Sequence, residues 1–471
     1  MKRLGEFTID GKHVYKEGRL RISPATLIPV SFLLAIFFGT LLLMLPAASA
    51  TGESQGLVTS LFTATSSTCV TGLVVVDTFS AWSLFGKIVI LILIQLGGLG
   101  IISFTSMVMI VLRRRFSIED RQLLVDAMNF DTGNGLLRFL IRIFRWTFIV
   151  EGVGAFCYLF EFVPRFGIAK GTWVSVFTSI SAFCNAGMDI IGPDSLIGYN
   201  SSPGVLIITM VLIVLGGLGY VVWFDVTDVT RYGIKNRFSI RSICKRLSPH
   251  SKLVLILTFT LIIAGAAIVF PAEYNNPETM GNMPAGDKIL NSLFQSVTFR
   301  TAGFASVPQS GLSPVSVLLG YALMFIGGSP IGTAGGVKTV TMFIVFLNVA
   351  SFAGHRKESV LFDRRISENT VRKATAIVSV SLTVVVFVTM LILATNDTNI
   401  VDALFETFSA IATVGLSRGL TGELNVIGKT LIIITMYLGR IGPISLAIFF
   451  TNVKPSNKKN LNYAHGKFYV G

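Results

Sequence analysis

Apolar residues gather in eight long stretches, separated by polar segments. Four read as plain spans: Pro24–Leu45, Phe139–Phe160, Leu253–Phe270 and Val371–Ala394. Four are richer in glycine: Phe85–Leu112, Val205–Trp223, Val315–Ala350 and Val426–Phe450. About 20 helical residues cross a hydrocarbon core of roughly 30 Å, so the pattern predicts eight transmembrane helices. The first stretch is too long for a cleavable leader and lacks a clear small-residue cleavage site.

Between the two stretches of each pair lies a short segment of small and hydroxyl residues. These read "FTATSSTCVTGL" (Phe62–Leu73), "FTSISAFCNAGM" (Phe177–Met188), "LFQSVTFRTAGF" (Leu293–Phe304) and "FETFSAIATVGL" (Phe405–Leu416). Each has glycine eleventh and a bulky apolar residue twelfth. The glycines, Gly72, Gly187, Gly303 and Gly415, are spaced by 115, 116 and 112 residues. A second motif follows each after 25, 29, 24 and 24 residues: "LGGLG" from Leu96, "LGGLG" from Leu215, "IGGSP" from Ile326 and "LGRIG" from Leu438. Two motifs recurring in one order four times define an internal repeat.

Each repeat reads as span, pore segment, span, so the chain returns to its starting side and all four copies are parallel. The predicted fold is an all-α polytopic membrane protein, four parallel span–pore loop–span repeats in pseudo-fourfold arrangement around one central pore. Its boundaries are a cytoplasmic tail over 1–23, repeat 1 over 24–112, a loop and repeat 2 over 113–223, and a loop and repeat 3 over 224–352. A further loop and repeat 4 fill 353–451, and a cytoplasmic tail fills 452–471.

Charge orients this array. Only 14% of residues are charged and mean hydropathy is +0.71, against about a quarter charged in soluble domains. Of the 39 Lys and Arg, 30 fall in residues 1–21, 112–145, 231–252, 353–373 and 452–471. The positive-inside rule places both termini and the three basic loops in the cytoplasm. The net charge of +14 is thus a topology signal, not a nucleic-acid footprint. The opposite segments carry twelve carboxylates, among them Asp77, Asp189, Glu273, Asp402 and Glu406, against seven basic residues, including Lys288 and Arg300. A net negative outer mouth concentrates cations. The four cysteines and four histidines have no metal-type spacing.

Thr413-Val414-Gly415 matches the first half of the Thr-Val-Gly-Tyr-Gly loop whose carbonyls replace a potassium ion's hydration shell. The repeat makes it one quarter of a filter, with Val70-Thr71-Gly72, Asn185-Ala186-Gly187 and Thr301-Ala302-Gly303 as the others. Glycine at each position permits positive φ and close approach of backbone to ion. A pore helix descending from outside aims its C-terminal dipole end at the cation.

"GGSPIGTAGGVKTVTM" (Gly327–Met342) interrupts the third repeat's second span. Gly327, Gly328, Gly332, Gly335 and Gly336 with Pro330 cannot sustain a regular helix. A phosphate-binding loop is excluded, because Lys338 does not directly follow glycine and no strand precedes. The segment, with Thr333 and Lys338, reads as an intramembrane gate under the filter, with Lys338 reaching the interface or tethering the loop. Arg440 stands where the other repeats have Gly98, Gly217 and Gly328, and a charge so deep should face the pore or a partner. It is expected just below the filter, contacting the gate loop or slowing cations. Glu151, within a span, is expected either to be paired structurally or to couple ions or subunits. No nucleophile–base pair, metal cluster or carboxylate dyad marks an enzyme.

"TCVTGLVVVDT" (Thr68–Thr78), "SAFCNAGMD" (Ser181–Asp189), "RTAGF" (Arg300–Phe304), "ATVGL" and "GRIGP" (Gly439–Pro443) together resemble the Trk/Ktr/HKT superfamily of potassium transporters. The likeness runs from about Pro24 onward. Eight spans without an additional N-terminal pair resemble the membrane subunit of the bacterial Ktr system. The resemblance implies a potassium-conducting pore subunit in the plasma membrane, a homodimer with one pore per chain. It also implies a cytosolic ring of nucleotide-binding regulatory subunits of the RCK/KTN type docked on the basic loops. The implied bound ion is K+ at the filter only, with Na+ a candidate activator, no cofactor in this chain and nucleotide on the partner. Glycine in all four filter places favours potassium over sodium. The competing reading is a sodium- or proton-coupled secondary transporter, for which inverted repeats and helices broken in two matching halves are expected.

Overall fold

The computed structural model describes residues 8–9, 12–13, 24–100, 136–356 and 358–442. Most of both expected tails, the far ends of the first and fourth glycine-rich stretches, and Pro443 lie outside them. Along the described chain one order of elements occurs four times: a leading helix, a short buried helix, then a trailing helix. The leading helices are Pro24–Leu43, Leu136–Phe166, Pro249–Glu273 and Glu368–Thr395. The short helices are Leu57–Cys69, Ile168–Cys184, Ala285–Thr298 and Ile400–Ile411. The trailing helices begin at Leu84, Pro203, Pro314 and Val426. Two short hairpins, Thr8–Ile9 with Lys12–His13 and Val360–Leu361 with Arg364–Arg365, add the β structure that the sequence did not announce.

Local chemistry sets the helix starts. Pro203, Pro249 and Pro314 occupy first helical positions, where the missing N–H is no loss. Ser248, Ser313, Ser367 and Asn425 accept hydrogen bonds from the first-turn amides of their helices.

The leading helices have an apolar outer face. Leu34, Phe37 and Phe38 on the first, Phe156 and Phe160 on the second, Ile263 on the third and Phe387 and Met390 on the fourth are more than half exposed. A contiguous apolar surface of this kind suits lipid, not water. Three leading helices, in the spans Arg138–Phe166, Pro249–Glu273 and Glu368–Thr395, are long and apolar enough to cross a membrane. The trailing helices depart from the uninterrupted spans that hydropathy predicts. The first, second and fourth stop at Gly100, Gly219 and Gly442, with φ of 81°, 85° and 92°. At Gly219 the chain turns by 98° into the helix Tyr220–Lys235, and the pair is apolar enough to count as one bent span. The third trailing helix ends at Phe325 and resumes at Thr339 after a non-helical loop. Hydropathy averages over such breaks, because a glycine turn is as apolar as the helix it ends.

The four short helices lie at the centre. Ser60 and Thr63 to Cys69 of the first are all buried, as are Ser175, Phe177 to Ser179 and Ser181 to Cys184 of the second. Their hydroxyls are accommodated within the helices: Ser67 donates to Thr63 O, Ser175 to Gly171 O and Thr407 to Ala403 O.

Candidate functional site: a ring of four loops

Every short helix ends in the same backbone excursion. Val70, Asn185, Thr301 and Thr413 have φ of 56°, 59°, 63° and 50°, and two residues later Gly72, Gly187, Gly303 and Gly415 have φ of 98°, 64°, 84° and 96°. Asparagine tolerates the left-handed region, but Val70, Thr301 and Thr413 are β-branched, and such residues are held there only by surroundings that over-determine them. In three copies the turn closes identically: Thr71 N–H donates to Ser66 O, Ala186 N–H to Ser181 O and Val414 N–H to Ser409 O, each at 2.8 Å. In the third, Ala302 N–H reaches Thr298 O at 3.1 Å instead. Helix hydroxyls then fix the glycine segments. Gly72 N–H donates to Ser66 Oγ and Gly415 N–H to Ser409 Oγ, while Ser181 Oγ donates to Met188 O and Thr298 Oγ1 to Phe304 O.

The four glycines form a closed ring of neighbours. Each faces the carbonyl oxygen that precedes the next glycine: Gly72 faces Ala186 O, Gly187 faces Ala302 O, Gly303 faces Val414 O, and Gly415 faces Thr71 O. A Cβ at Gly187 would lie 2.6 Å from Ala302 O, and one at Gly303 2.5 Å from Val414 O, so no side chain fits. Thr71, Thr301 and Thr413, all fully buried, keep hydroxyls without a protein hydrogen-bond partner, as does the Nδ2 of Asn185. The ring thus brings together the last two residues of each of the four tripeptides read from sequence, while their first residues, Val70, Asn185, Thr301 and Thr413, form the left-handed turns that lead into it.

On one side the ring opens into a cavity of about 160 Å³, lined by the four glycines and by residues following them, including Asp77, Asp189, Gln309 and Ser417. On the other side lies the loop between Phe325 and Thr339. Gly335 packs against Ala412 O, 2.7 Å from where its Cβ would stand, and against the Thr413 side chain. Thr333 donates through Oγ1 to Phe183 O and Asn185 Oδ1, at 3.1 and 3.2 Å. The loop is pinned further by Ser329 N–H to Gly217 O, Thr333 N–H to Gly216 O and Tyr220 N–H to Ile331 O. Gly328 crosses the second trailing helix at Gly217, and Gly327 and Gly336 pack backbone to backbone. Gly332 packs against the backbone of Gly216 and Gly219. Lys338 folds back on its own loop, donating to Ala334 O at 2.5 Å. Arg440 donates to Thr333 O at 2.6 Å and to Gly97 O, linking the first trailing helix to the loop.

Glu151, expected either to be paired structurally or to couple ions or subunits, is buried against the Gln95 amide at 3.1 and 3.2 Å, with the Cys184 thiol beside it. Two further features were not visible in the pattern. Glu273 and Glu406, counted by their position among mouth carboxylates, are fully buried: Glu273 accepts from Ser313, Thr279 and Asn276, and Glu406 from Ser417 and Thr421. Lys288 and Arg300, counted as outer bases, are buried too. Lys288 bonds Tyr274 O and Gly281 O, and Arg300 reaches Gly327 O at 3.4 Å. Segment charge reveals the side of the membrane, not whether an individual side chain is folded inward. Among the described residues no group of three or more His, Cys, Asp or Glu could hold a metal ion, and all four cysteines are free.

A ring of close-packed backbone between a polar cavity and a glycine loop, within a shell of lipid-suited helices, marks a membrane protein. The chain belongs to the TrkH family of cation transport proteins, whose family pattern matches residues 20–462. It is 35% identical to the Ktr system potassium uptake protein B of Bacillus subtilis, over 96% of this chain and 98% of that protein. It is likewise 35% identical to the potassium/sodium uptake protein NtpJ of Enterococcus hirae, over 96% and 97% of the two chains. The crystal structure of the potassium transporter TrkH from Vibrio parahaemolyticus superposes with a TM-score of 0.71 at 15% identity, covering 94% of this chain and 87% of that one. At that identity the likeness speaks for the fold.

Proposed function

We propose that this chain is the pore-forming subunit of a potassium uptake system in the plasma membrane. In this reading its four repeats, with the boundaries given above, cross the membrane eight times around one pseudo-fourfold axis. The observation that carries it is the closed ring in which each glycine faces the carbonyl of the next copy. Four non-identical loops of one chain there replace the water shell of a dehydrated alkali ion. The unpartnered hydroxyls of Thr71, Thr301 and Thr413 support it, since buried polar groups without partners call for an explanation such as an ion pathway. The relatives named for potassium uptake and for potassium/sodium uptake point to the same substrate class.

The loop between Phe325 and Thr339 is the gate in this reading, held shut by Arg440 through the carbonyls of Thr333 and Gly97. Its contact with Ala412 and Thr413, at the foot of one ring turn, supports this reading. The basic cytoplasmic segments serve as docking face for a nucleotide-binding regulatory ring, and the chain works as a homodimer. The second reading, uptake coupled to sodium, is favoured by the Enterococcus hirae relative's name. Rubidium flux into liposomes holding the purified protein separates the two. We expect flux without a sodium gradient, blocked by potassium at far lower concentration than by sodium. Equal competition by sodium overturns the selectivity, and flux that requires inward sodium selects the coupled reading.

A further inference from the structure

Glu406 is the one carboxylate among the four short helices at its register. Nine residues before the ring glycines stand Thr63, Thr178, Phe294 and Glu406. A carboxylate with no exposure, at membrane depth and without a cation bonded to it, is expensive unless its oxygens are satisfied. Here Oε1 accepts from Ser417 Oγ and Oε2 from Thr421 Oγ1 at 2.6 Å. Both donors lie beyond Gly415, Ser417 in the segment that leaves it and Thr421 in the short helix Leu420–Glu423; Ser417 also lines the outer cavity and accepts from Gly419 N–H at 3.0 Å.

One turn earlier on the same helix, Asp402 pairs with Arg418 at 2.6 Å, and Arg418 donates to Gln309 O at 2.8 Å. Gln309 is in turn paired with Gln295 of the third short helix at 2.7 Å. The segment after Gly415 is therefore fastened from behind at residues 417, 418 and 421, and through Arg418 to the corresponding segment of the third repeat. The segments after the other ring glycines have no carboxylate behind them at this register. The second is held by Ser181 on Met188 O, and the third by Thr298 on Phe304 O.

We infer that Glu406 is a positioning residue that sets cation discrimination by clamping the segment beyond Gly415 through Ser417 and Thr421. The inference rests on the filter reading proposed above. Carbonyls match an ion's shell only if the segment carrying them keeps its place within a fraction of an ångström. A two-point carboxylate clamp resists collapse onto a smaller ion. Glutamine at 406 keeps the shape but replaces one acceptor oxygen with a donor, so one of the two hydroxyls loses its partner.

The test is rubidium flux in liposomes, read as the ratio of sodium to potassium concentrations that halve it. Glu406→Gln should lower that ratio threefold or more, and Thr421→Val should move it the same way. Thr421→Ser, which restores the hydroxyl, should return the wild-type ratio. The double variant Glu406→Gln, Thr421→Val should do no more than the larger single change. A packing defect would instead reduce flux for all cations alike at an unchanged ratio, and that result overturns the clamp, as does simple additivity of the two changes. If Glu406→Gln does not yield folded protein, Ser417→Ala and Thr421→Val decide in its place, and an unmoved ratio in both overturns it. Gly415→Ser, measured in parallel, keeps the two ideas apart. A shifted ratio there with none at Glu406 leaves the filter standing and removes the clamp. No shift in either removes the filter reading itself.

Discussion

At Gly303 two demands coincide, a φ of 84° and the backbone of two other repeats within reach of any side chain. Alanine there would adopt a left-handed conformation at about 1–2 kcal/mol and crowd Val414 O, overpacking that costs about 1–3 kcal/mol more. We expect Gly303→Ala to cut rubidium flux at least tenfold with the protein still folded. Gly286→Ala, with nothing within 4 Å of the added methyl and no positive φ, should be silent in the same assay. Equal flux in the two variants would show that close approach at the ring does not matter. At this scale the sequence was highly legible. Glycine at a fixed place in four copies announces a backbone requirement, because no other residue satisfies it. Glu406 and Arg300 were not legible, since a charged residue in a polar segment reads the same whether it faces water or is folded inward against hydroxyls.

Among elements, the loop between the two halves of the third trailing helix is tied laterally to the second and fourth repeats. Its glycines and proline foretold the break in the helix. The identity of its partners depended on where Gly216, Gly217 and Gly97 would come to lie, which no local pattern encodes. Arg440→Ser removes both bonds that hold Thr333 O and Gly97 O together. The expected outcome is a severalfold faster maximal rubidium uptake with little change in the half-saturating concentration. Unchanged kinetics would deny the residue a gating role. Gly335→Ala acts oppositely: its methyl would press on Thr413 and Ala412 O, and uptake should fall. The turn at Gly219 was likewise hidden, because a hydropathy window cannot tell a straight span from one bent by 98° at a single glycine.

Over the whole molecule, the outer cavity brings carboxylates of separate repeats together, Asp77 from the first and Asp189 from the second. Burial pushes the Asp189 carboxyl up from its ordinary range to about 6, with a hydrogen bond from Ser195 opposing the shift. Above that pH the group is charged and draws cations to the mouth; below it the charge and the attraction are lost. Uptake at subsaturating rubidium should therefore fall as external pH drops from 7 to 5. Asp189→Asn should be slower at pH 7 and lose that dependence, whereas a pH profile identical to the unsubstituted protein would assign the effect elsewhere.

The ring is written into one polypeptide, so its four quarters are inherited together yet diverge independently. A homotetrameric pore must accept any exchange in four places at once. Here one position is Val70, Asn185, Thr301 and Thr413 in the four quadrants, so each can change while its companions stay as they are, and a lone carboxylate can serve a single quadrant. In the proposed filter reading, discrimination between ions of similar size becomes adjustable in small increments, one sector at a time, and duplication followed by drift is a sufficient route to such graded tuning.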